Sequence, residues 1–274
     1  MILVNGKPED RIDIIDRGLQ YGDGLFETIA YRNGKVEFLE AHLQRLLSGC
    51  QRLSIPFSEF DSLRSDLTLI TDELTDNTVI KVIITRGSGG RGYYADGSLT
   101  PTRVVSTHPF PTYPKSHQTE GVTVRFCQHR LSENTVLAGV KHLNRLDQVI
   151  ARSEWSDQTI AEGLMFDQHD KLVEATMSNI FIVKSGQLYT PAIVSSGVAG
   201  IMRAKIIELA AQNNIAITEL TSADQSDLIE ADELFVCNSI NRIWPVKYII
   251  DINKTLSIGK ITKLFQTLLI EAID

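Results

Sequence analysis

The sequence is short of cysteine, and the cysteines and histidines that it does have follow no pattern. Cys50, Cys127 and Cys237 are odd in number and far apart in a chain of 274 residues. We therefore expect buried, reduced thiols of a cytoplasmic protein and no disulfide framework. The six histidines show no metal-ligand spacing and no pairing with cysteine, so we expect no metal site.

Long apolar runs and an excess of positive charge are also missing. Lys81 interrupts the best apolar run, residues 79–84, and the segment Met1–Asn5 contains no basic residue. We therefore expect no membrane span and no signal peptide. The 27 basic residues are outnumbered by 34 acidic ones, so the net charge is −7. Because no basic stripe offsets this charge, we expect no nucleic-acid partner.

The chain does contain strand signals that alternate with helix signals. Asn33-Gly34 predicts a two-residue hairpin turn, because both residues tolerate positive φ. Leucines and a cysteine at helical spacing form one apolar stripe over residues 39–53. Together with a helix at 58–74 and strands at 2–4, 79–85 and 103–106, they predict an α/β unit that ends near residue 108.

A proline-rich segment separates this unit from the rest of the chain. Residues 109–114 contain three prolines, and such a segment is stiff and extended. We therefore expect a small N-terminal α/β domain at 1–108, a linker at 109–119 and a larger C-terminal domain at 120–274. In the second half strands outnumber helices, which are expected at 143–155, 200–212 and 258–272. This favours a barrel-like mixed sheet, within a mixed α/β (α+β) class, over a doubly wound sheet.

A glycine-rich segment, Gly87–Gly92, follows the strand at 79–85 and matches G-x-G-x-x-G. A dinucleotide site would need a helix to begin at its last glycines, yet residues 93–101 have the composition of a loop. The chain has no Gly-Lys-Ser/Thr, which argues against a P-loop. The glycines allow a ligand close to the backbone, and Arg86 and Arg91 suit a carboxylate or a phosphate, so we favour a ligand-binding loop.

Two single residues suggest chemistry. Lys141 lies among Ala, Gly, Val and Leu; it is either a surface lysine beside a short apolar patch or a lysine in a low-dielectric cleft whose free amine suits Schiff-base chemistry. Glu174 lies between two apolar runs and is either exposed on a strand or buried against a cationic partner. Val198–Arg203 opens a helix, which is either a plain helix start or an anion site made by free N–H groups.

Taken in order, these segments resemble the fold-type IV pyridoxal-phosphate enzymes, which include branched-chain and D-amino acid aminotransferases and aminodeoxychorismate lyases. The motifs that carry the resemblance cover nearly the whole chain. They are Asp16-Arg17-Gly18, Tyr21-Gly22-Asp23-Gly24-Leu25-Phe26, His42-x-x-Arg45-Leu46, Glu174-x-Thr176-x-x-Asn179-Ile180-Phe181, Leu188-x-Thr190 and Val198-x-Gly200-Ile201-x-Arg203. Within the family, the strings at 85–93, 138–146 and 236–238 are most similar to the lyases.

The resemblance implies a role for each matching residue. Lys141 would hold pyridoxal 5'-phosphate as a Schiff base and Glu174 would pair with its pyridine nitrogen. Its phosphate would be held by Arg45, by the N–H groups of Ile201 and Met202, and by Ser239 and Ile240. The substrate carboxylate would be bound by Arg91 and Tyr93, and Lys141 or Thr28 would give a proton to the leaving group.

The resemblance also implies an activity. We expect a homodimeric lyase of folate biosynthesis that converts 4-amino-4-deoxychorismate to 4-aminobenzoate and pyruvate. An aminotransferase for D-amino acids or branched-chain amino acids on the same fold is the alternative. A non-catalytic phosphate- or nucleotide-binding protein that uses the glycine-rich segment is the alternative from another class.

Overall fold

The computed structural model describes residues 1–90, 92–95 and 97–273, and the chain divides into two compact units. Unit 1 comprises Met1–Pro111 together with Val140–Asn144, and unit 2 comprises Thr112–Gly139 together with Arg145–Asp274. The division near residue 111 falls inside the proline-rich segment. Unlike the expected C-terminal domain of 120–274, unit 2 lacks Val140–Asn144, a segment whose backbone pairs with a strand of unit 1.

Unit 1 is built on a six-stranded antiparallel sheet with the strand order β2-β1-β6-β5-β3-β4. Its strands are β1 (Ile2–Val4), β2 (Lys7–Pro8), β3 (Gly24–Arg32), β4 (Lys35–Val36), β5 (Thr78–Thr85) and β6 (Thr102–Pro109). Its helices are α1 (Arg17–Tyr21), α2 (Leu39–Arg52) and α3 (Phe60–Thr71). The core lies between this sheet and helices α2 and α3, whose apolar side chains are buried against it.

In unit 1, the hairpin and the helix that were predicted from short sequence patterns are confirmed. β3 and β4 form the expected hairpin, and Asn33 and Gly34 both have positive φ, 51° and 79°. Helix α2 buries Leu43, Leu46 and Cys50 of the predicted stripe. The strand expected at 103–106 is longer than predicted, because β6 pairs with β5 along the whole length of both strands.

Unit 2 is built on a nine-stranded mixed sheet with the order β12-β11-β10-β13-β14-β7-β8-β9, with β15 beside β14. Its strands are β7 (Val122–Leu131), β8 (Ile160–Asp167), β9 (Leu172–Ala175), β10 (Asn179–Lys184), β11 (Gln187–Pro191), β12 (Ile217–Leu220), β13 (Glu233–Asn238), β14 (Arg242–Ile249) and β15 (Lys254–Thr255). Its helices are α4 (Ser116–Thr119), α5 (Leu146–Arg152), α6 (Ile201–Gln212), α7 (Gln225–Glu230) and α8 (Lys260–Glu271).

The sheet of unit 2 curls so that its end strand β9 returns to β10, to which it is joined by residues 176–178. Ala175 N donates to Ser178 O at 2.7 Å across this connection. The core residues come from β8, β10, β13 and β14, with Ile180, Val236 and Val246 almost fully buried. The helix expected at 143–155 is shorter than predicted, since α5 spans Leu146–Arg152.

The described part of the chain bears on three predictions, which concern the cysteines, metal sites and membrane spans. Cys50, Cys127 and Cys237 are buried, free thiols, and burial raises the pKa of Cys50 and of Cys127 to about 12. Among residues 1–90, 92–95 and 97–273, no cluster of side chains could hold a metal ion. Within those residues, no helix combines the length and apolarity needed to cross a membrane.

Candidate active site

Lys141 belongs to unit 1, where a short segment lies along the first residues of β3. Phe26 N donates to Lys141 O and Leu143 N donates to Gly24 O, each at 3.0 Å. Lys141 Nζ lies 4.2 Å from the centre of the Phe26 ring, and the side chain is half-buried. The backbone pairing and the ring contact together define the position of this amine.

Thr28 shares a face of β3 with Phe26, because side chains of a strand alternate between its two faces. Thr28 is half-buried, and its register partner on β5 is Lys81. The structure therefore places the predicted hydroxyl and the predicted amine above the same face of one strand. A hydroxyl and an amine on one surface suit proton transfer to and from a single bound molecule.

The opposite face of β3 carries Glu27, which forms a buried cluster with two residues of α2. Arg45 donates to Glu27 from Nε at 2.7 Å and from Nη2 at 2.5 Å. His42 Nδ1 lies 2.6 Å from Glu27 Oε2. His42 and Arg45 are three residues apart, so one turn of helix brings both to one carboxylate. The predicted phosphate ligand Arg45 is thus held in place by Glu27, a residue that had no assigned role.

The charges of this cluster follow from burial and proximity. Burial opposes ionisation of Glu27, but the Arg45 guanidinium and the His42 hydrogen bond lower the pKa of the carboxyl to about 2. Burial lowers the pKa of His42, although its bond to Glu27 acts in the other direction. Within the described residues His42 Nε2 has no hydrogen-bond partner. The cluster is therefore an ionised carboxylate that orients a guanidinium.

The glycine-rich segment belongs to unit 1, and among the described residues no helix lies between it and β6, so the dinucleotide alternative lacks the context it requires. Arg17, which is buried, donates to Gly92 O at 2.9 Å and to Tyr93 O at 3.0 Å. The Tyr93 side chain is 89% exposed in unit 1, and its ring meets the edge of Tyr21 at 5.7 Å. Arg91, the other predicted substrate ligand, lies outside the described residues.

Glu174 lies on β9 in unit 2 and is 4% exposed, which decides between the two alternatives in favour of burial. Its carboxylate accepts Gln148 Nε2 at 3.2 Å and Val198 N at 2.8 Å. Gly197 packs directly beside it: a Cβ at this glycine would lie 3.3 Å from Glu174 Oε2. Gln148, on α5, was not predicted. Its signal was its place two residues after the end of the 138–146 string.

Helix α6 begins at Ile201, and its N-cap is a glycine without a side chain to cap it. The first N–H groups of a helix have no partner within the helix and attract anions. Asn179 holds the preceding segment, because its Nδ2 donates to Val198 O at 2.9 Å. A Cβ at Gly200 would collide with Asn179 Oδ1, which explains why a glycine stands there. The predicted Ile201 and Met202 N–H groups are thus available to a phosphate.

The turn that joins β13 to β14 contains the remaining predicted ligands, Ser239 and Ile240. Asn238 Oδ1 accepts Ile240 N at 2.9 Å and Asn241 N at 2.7 Å. The Ile240 N–H is therefore directed to Asn238, whose side chain shapes the turn. Asn238 stood in the 236–238 string that resembled the lyases, and that string was the signal for it.

The described residues include the types of group that pyridoxal phosphate needs. Unit 1 supplies an amine at Lys141 and a fixed guanidinium at Arg45. Unit 2 supplies a buried carboxylate at Glu174 for a protonated ring nitrogen, and the start of α6, uncapped by any side chain, for a phosphate. The donor sets of both units therefore fit this cofactor.

The chain is similar to known proteins over most of its length. The family described as amino-transferase class IV matches residues 24–249 of the chain. An aminodeoxychorismate lyase from Vibrio harveyi is 34% identical over 268 residues, which cover 97% of this chain and 98% of the relative. A D-alanine aminotransferase from Bacillus licheniformis is 29% identical over 253 residues, which cover 89% of this chain and 87% of the relative.

A solved structure is similar over the full length. The crystal structure of 4-amino-4-deoxychorismate lyase from Pseudomonas aeruginosa has a TM-score of 0.95 and 43% sequence identity, and the match covers 100% of both chains. The predicted fold-type IV class is confirmed: a small antiparallel N-terminal sheet is accompanied by a curled mixed sheet.

Proposed function

Because the chain belongs to the class IV aminotransferase family, whose members depend on pyridoxal phosphate, we propose that it is a lyase that converts 4-amino-4-deoxychorismate to 4-aminobenzoate and pyruvate. The observation that carries this proposal is its full-length similarity to a lyase at 43% identity. The relative from Vibrio harveyi adds support at 34% identity. We place the enzyme in the cytoplasm as a homodimer that acts in folate synthesis.

We assign one role in cofactor binding to each of the predicted residues. The covalent attachment of the cofactor is assigned to Lys141 Nζ and the contact with its ring nitrogen to Glu174. The phosphate would be bound by the Ile201 and Met202 N–H groups, by Arg45, and by the turn that contains Ser239 and Ile240. The ion pair with Glu27 supports the assignment of Arg45 as a phosphate ligand, because it holds the guanidinium in one orientation before a phosphate binds.

In the reaction, the bound cofactor supplies an electron sink for the carbanion that forms at the substrate carbon. Lys141 Nζ, which is freed when the substrate amine takes its place, would remove the proton from the substrate carbon that carries the amine. Glu174, oriented by Gln148 and Val198 N, keeps a proton on the ring nitrogen. The carbon–oxygen bond to the enolpyruvyl group then breaks, and the substrate ring becomes aromatic.

Two further roles concern the substrate. Thr28 lies on the same face of β3 as Phe26, and Lys141 Nζ lies over the Phe26 ring. The Thr28 hydroxyl is therefore on the side of the strand where the substrate would bind, and it is suited to give a proton to the departing enolpyruvyl oxygen. The net charge of −7 opposes a dicarboxylate substrate, but such charges are screened over about 8 Å at physiological ionic strength. Local groups therefore dominate, and we assign substrate-carboxylate binding to Arg91 and Tyr93.

The test is incubation of the purified protein with 4-amino-4-deoxychorismate while 4-aminobenzoate and pyruvate are measured. We expect both products in equal amounts without an added keto acid. After borohydride reduction, mass spectrometry should find the cofactor on Lys141, and Lys141→Ala should show neither adduct nor product. Lys81→Ala is the matched control, because Lys81 Nζ lies 5.6 Å from the centre of the same Phe26 ring. This substitution should leave the adduct on Lys141 unchanged.

An aminotransferase is the second candidate, favoured by the 29% identity to a D-alanine aminotransferase. A half-reaction with D-alanine or with glutamate separates the two functions. A transaminase converts its cofactor to the amine form with these donors, whereas the lyase retains the aldehyde form while it releases 4-aminobenzoate. Full conversion by an amino acid, with no 4-aminobenzoate formed, would refute the lyase proposal.

A further inference from the structure

Glu162 is a buried carboxyl group in unit 2 for which the proposed chemistry has no use. It lies near the beginning of β8 and is 0% exposed. Among the described residues no basic side chain forms an ion pair with it, unlike Glu27. Its partners are donors from the β9–β10 connection: Thr176 Oγ1 and the Met177 N–H at 3.3 Å. Burying a carboxyl group costs free energy unless it is hydrogen-bonded, so this set of donors satisfies a costly group.

The Ser178 hydroxyl extends this network to the turn after β13. Ser178 follows Met177 directly, and its hydroxyl oxygen accepts Asn238 Nδ2 at 3.1 Å. Asn238 uses its other side-chain atom, Oδ1, to hold the N–H groups of Ile240 and Asn241. The segment 176–178 is therefore hydrogen-bonded to a fully buried carboxyl group through Thr176 and Met177, and through Ser178 to Asn238, whose side chain holds the 239–241 turn.

The same connection also reaches the start of α6. Asn179 follows Ser178 directly and holds Val198 O, just before the glycine N-cap of the helix. Residues 176–179 thus contact both backbone segments to which we assign phosphate binding. Glu162 is the group in β8 against which this segment is held.

We propose that Glu162 is a positioning residue for the cofactor phosphate, acting through Ser178 and Asn238 on the 239–241 turn. This inference rests on the proposed use of pyridoxal phosphate. Glu162 does not touch the cofactor; it sets the place of the turn that does. Burial raises the pKa of Glu162 to about 7, against the opposing effect of its hydrogen bonds.

The decisive experiment compares two ligands that differ in the phosphate alone. Wild type and Ser178→Ala, purified as holoprotein, are dialysed against graded concentrations of pyridoxal 5'-phosphate or of pyridoxal, and the bound fraction is read by absorbance. Loss of the hydrogen bond between Ser178 and Asn238 should weaken binding of pyridoxal 5'-phosphate about tenfold. Binding of pyridoxal should stay within about twofold of wild type, since it has no phosphate for the turn to hold.

Three further variants separate positioning from general stability. Ser178→Thr keeps the hydroxyl and should restore the affinity for pyridoxal 5'-phosphate. Glu162→Gln should show the same selective loss as Ser178→Ala. Thr190→Val removes a buried hydroxyl that donates to Ile180 O at 2.7 Å in the same sheet; it should lower the unfolding temperature and leave both affinities unchanged.

The outcomes are distinguishable. Equal loss of both ligands in Ser178→Ala, or no loss of either, overturns the inference. A wild-type protein that binds pyridoxal 5'-phosphate no better than pyridoxal overturns it as well, although the cofactor proposal would survive. A wild-type protein that binds neither ligand refutes the proposed function itself.

Discussion

The buried carboxyl group of Glu162 should make the stability of this protein depend on pH. Its pKa is raised from 4.5 to about 7 in the folded chain, and each pKa unit corresponds to about 1.4 kcal/mol. The folded state therefore favours the protonated form. The contribution of Glu162 to stability is complete below about pH 4.5 and is lost as the pH rises through 7, with a total change of roughly 3 kcal/mol.

The perturbation is Glu162→Gln, which keeps the shape of the side chain and removes the titration. Urea unfolding of wild type and variant at pH values from 5 to 8 gives the free energy of unfolding for each. We expect the difference, wild type minus variant, to fall by roughly 2–3 kcal/mol between the two ends of this range. Thr190→Val, which removes no titratable group, should differ from wild type by a constant amount. Parallel curves for wild type and Glu162→Gln would refute the reasoning.

The remaining predictions concern the proposed site. Glu174→Gln should retain the cofactor and slow the turnover by at least about a hundredfold, because the ring nitrogen loses its acidic partner; kcat near the wild-type value would contradict the role. Glu27→Gln should lower the free energy of unfolding at pH 7 by about 3 kcal/mol, because it breaks a buried ion pair, and this loss should shrink as the pH falls below 4.5 toward 2. Glu40→Gln is its control, since the Glu40–Arg64 pair is exposed, and should unfold like wild type. Thr28→Val should lower kcat with little change in KM, and an unchanged kcat would remove Thr28 from the proton-transfer step. Arg91→Ala should mainly raise KM for the dicarboxylate, and an unaltered KM would exclude it from substrate binding.

Features that depend on a few adjacent residues were predictable from the sequence. The Asn33-Gly34 turn follows from the backbone freedom of two residues, and the buried stripe of α2 follows from spacing along one helix. The glycine before Ile201 correctly marked the start of α6. The curled mixed sheet also agreed with the excess of strand signals after residue 120.

Features that depend on distant residues were not predictable in this way. The segment Val140–Asn144 pairs with β3, so the helix expected from residue 143 begins at Leu146: Leu143 N is already bonded to Gly24 O. Nothing in the sequence around Glu27 indicates that Arg45 and His42 converge on it from a separate helix. Local pattern likewise left two alternatives for Glu174, because a carboxylate between apolar runs has the same sequence whether its strand is covered or exposed.

Side-chain chemistry and short backbone spacing are readable in the sequence, so they were enough to choose the candidate groups and to predict many of the local elements that carry them. The burial of those groups, and the donors that reach them, depend on the packing of distant strands and are seen only in the folded chain. Glu162 illustrates the difference. The connection at residues 176–178 contacts both Glu162 of β8 and Asn238 of β13, because the curled sheet brings β8, β10 and β13 together around it. Desolvation and hydrogen bonding depend on that meeting of distant strands, and no local pattern encodes it.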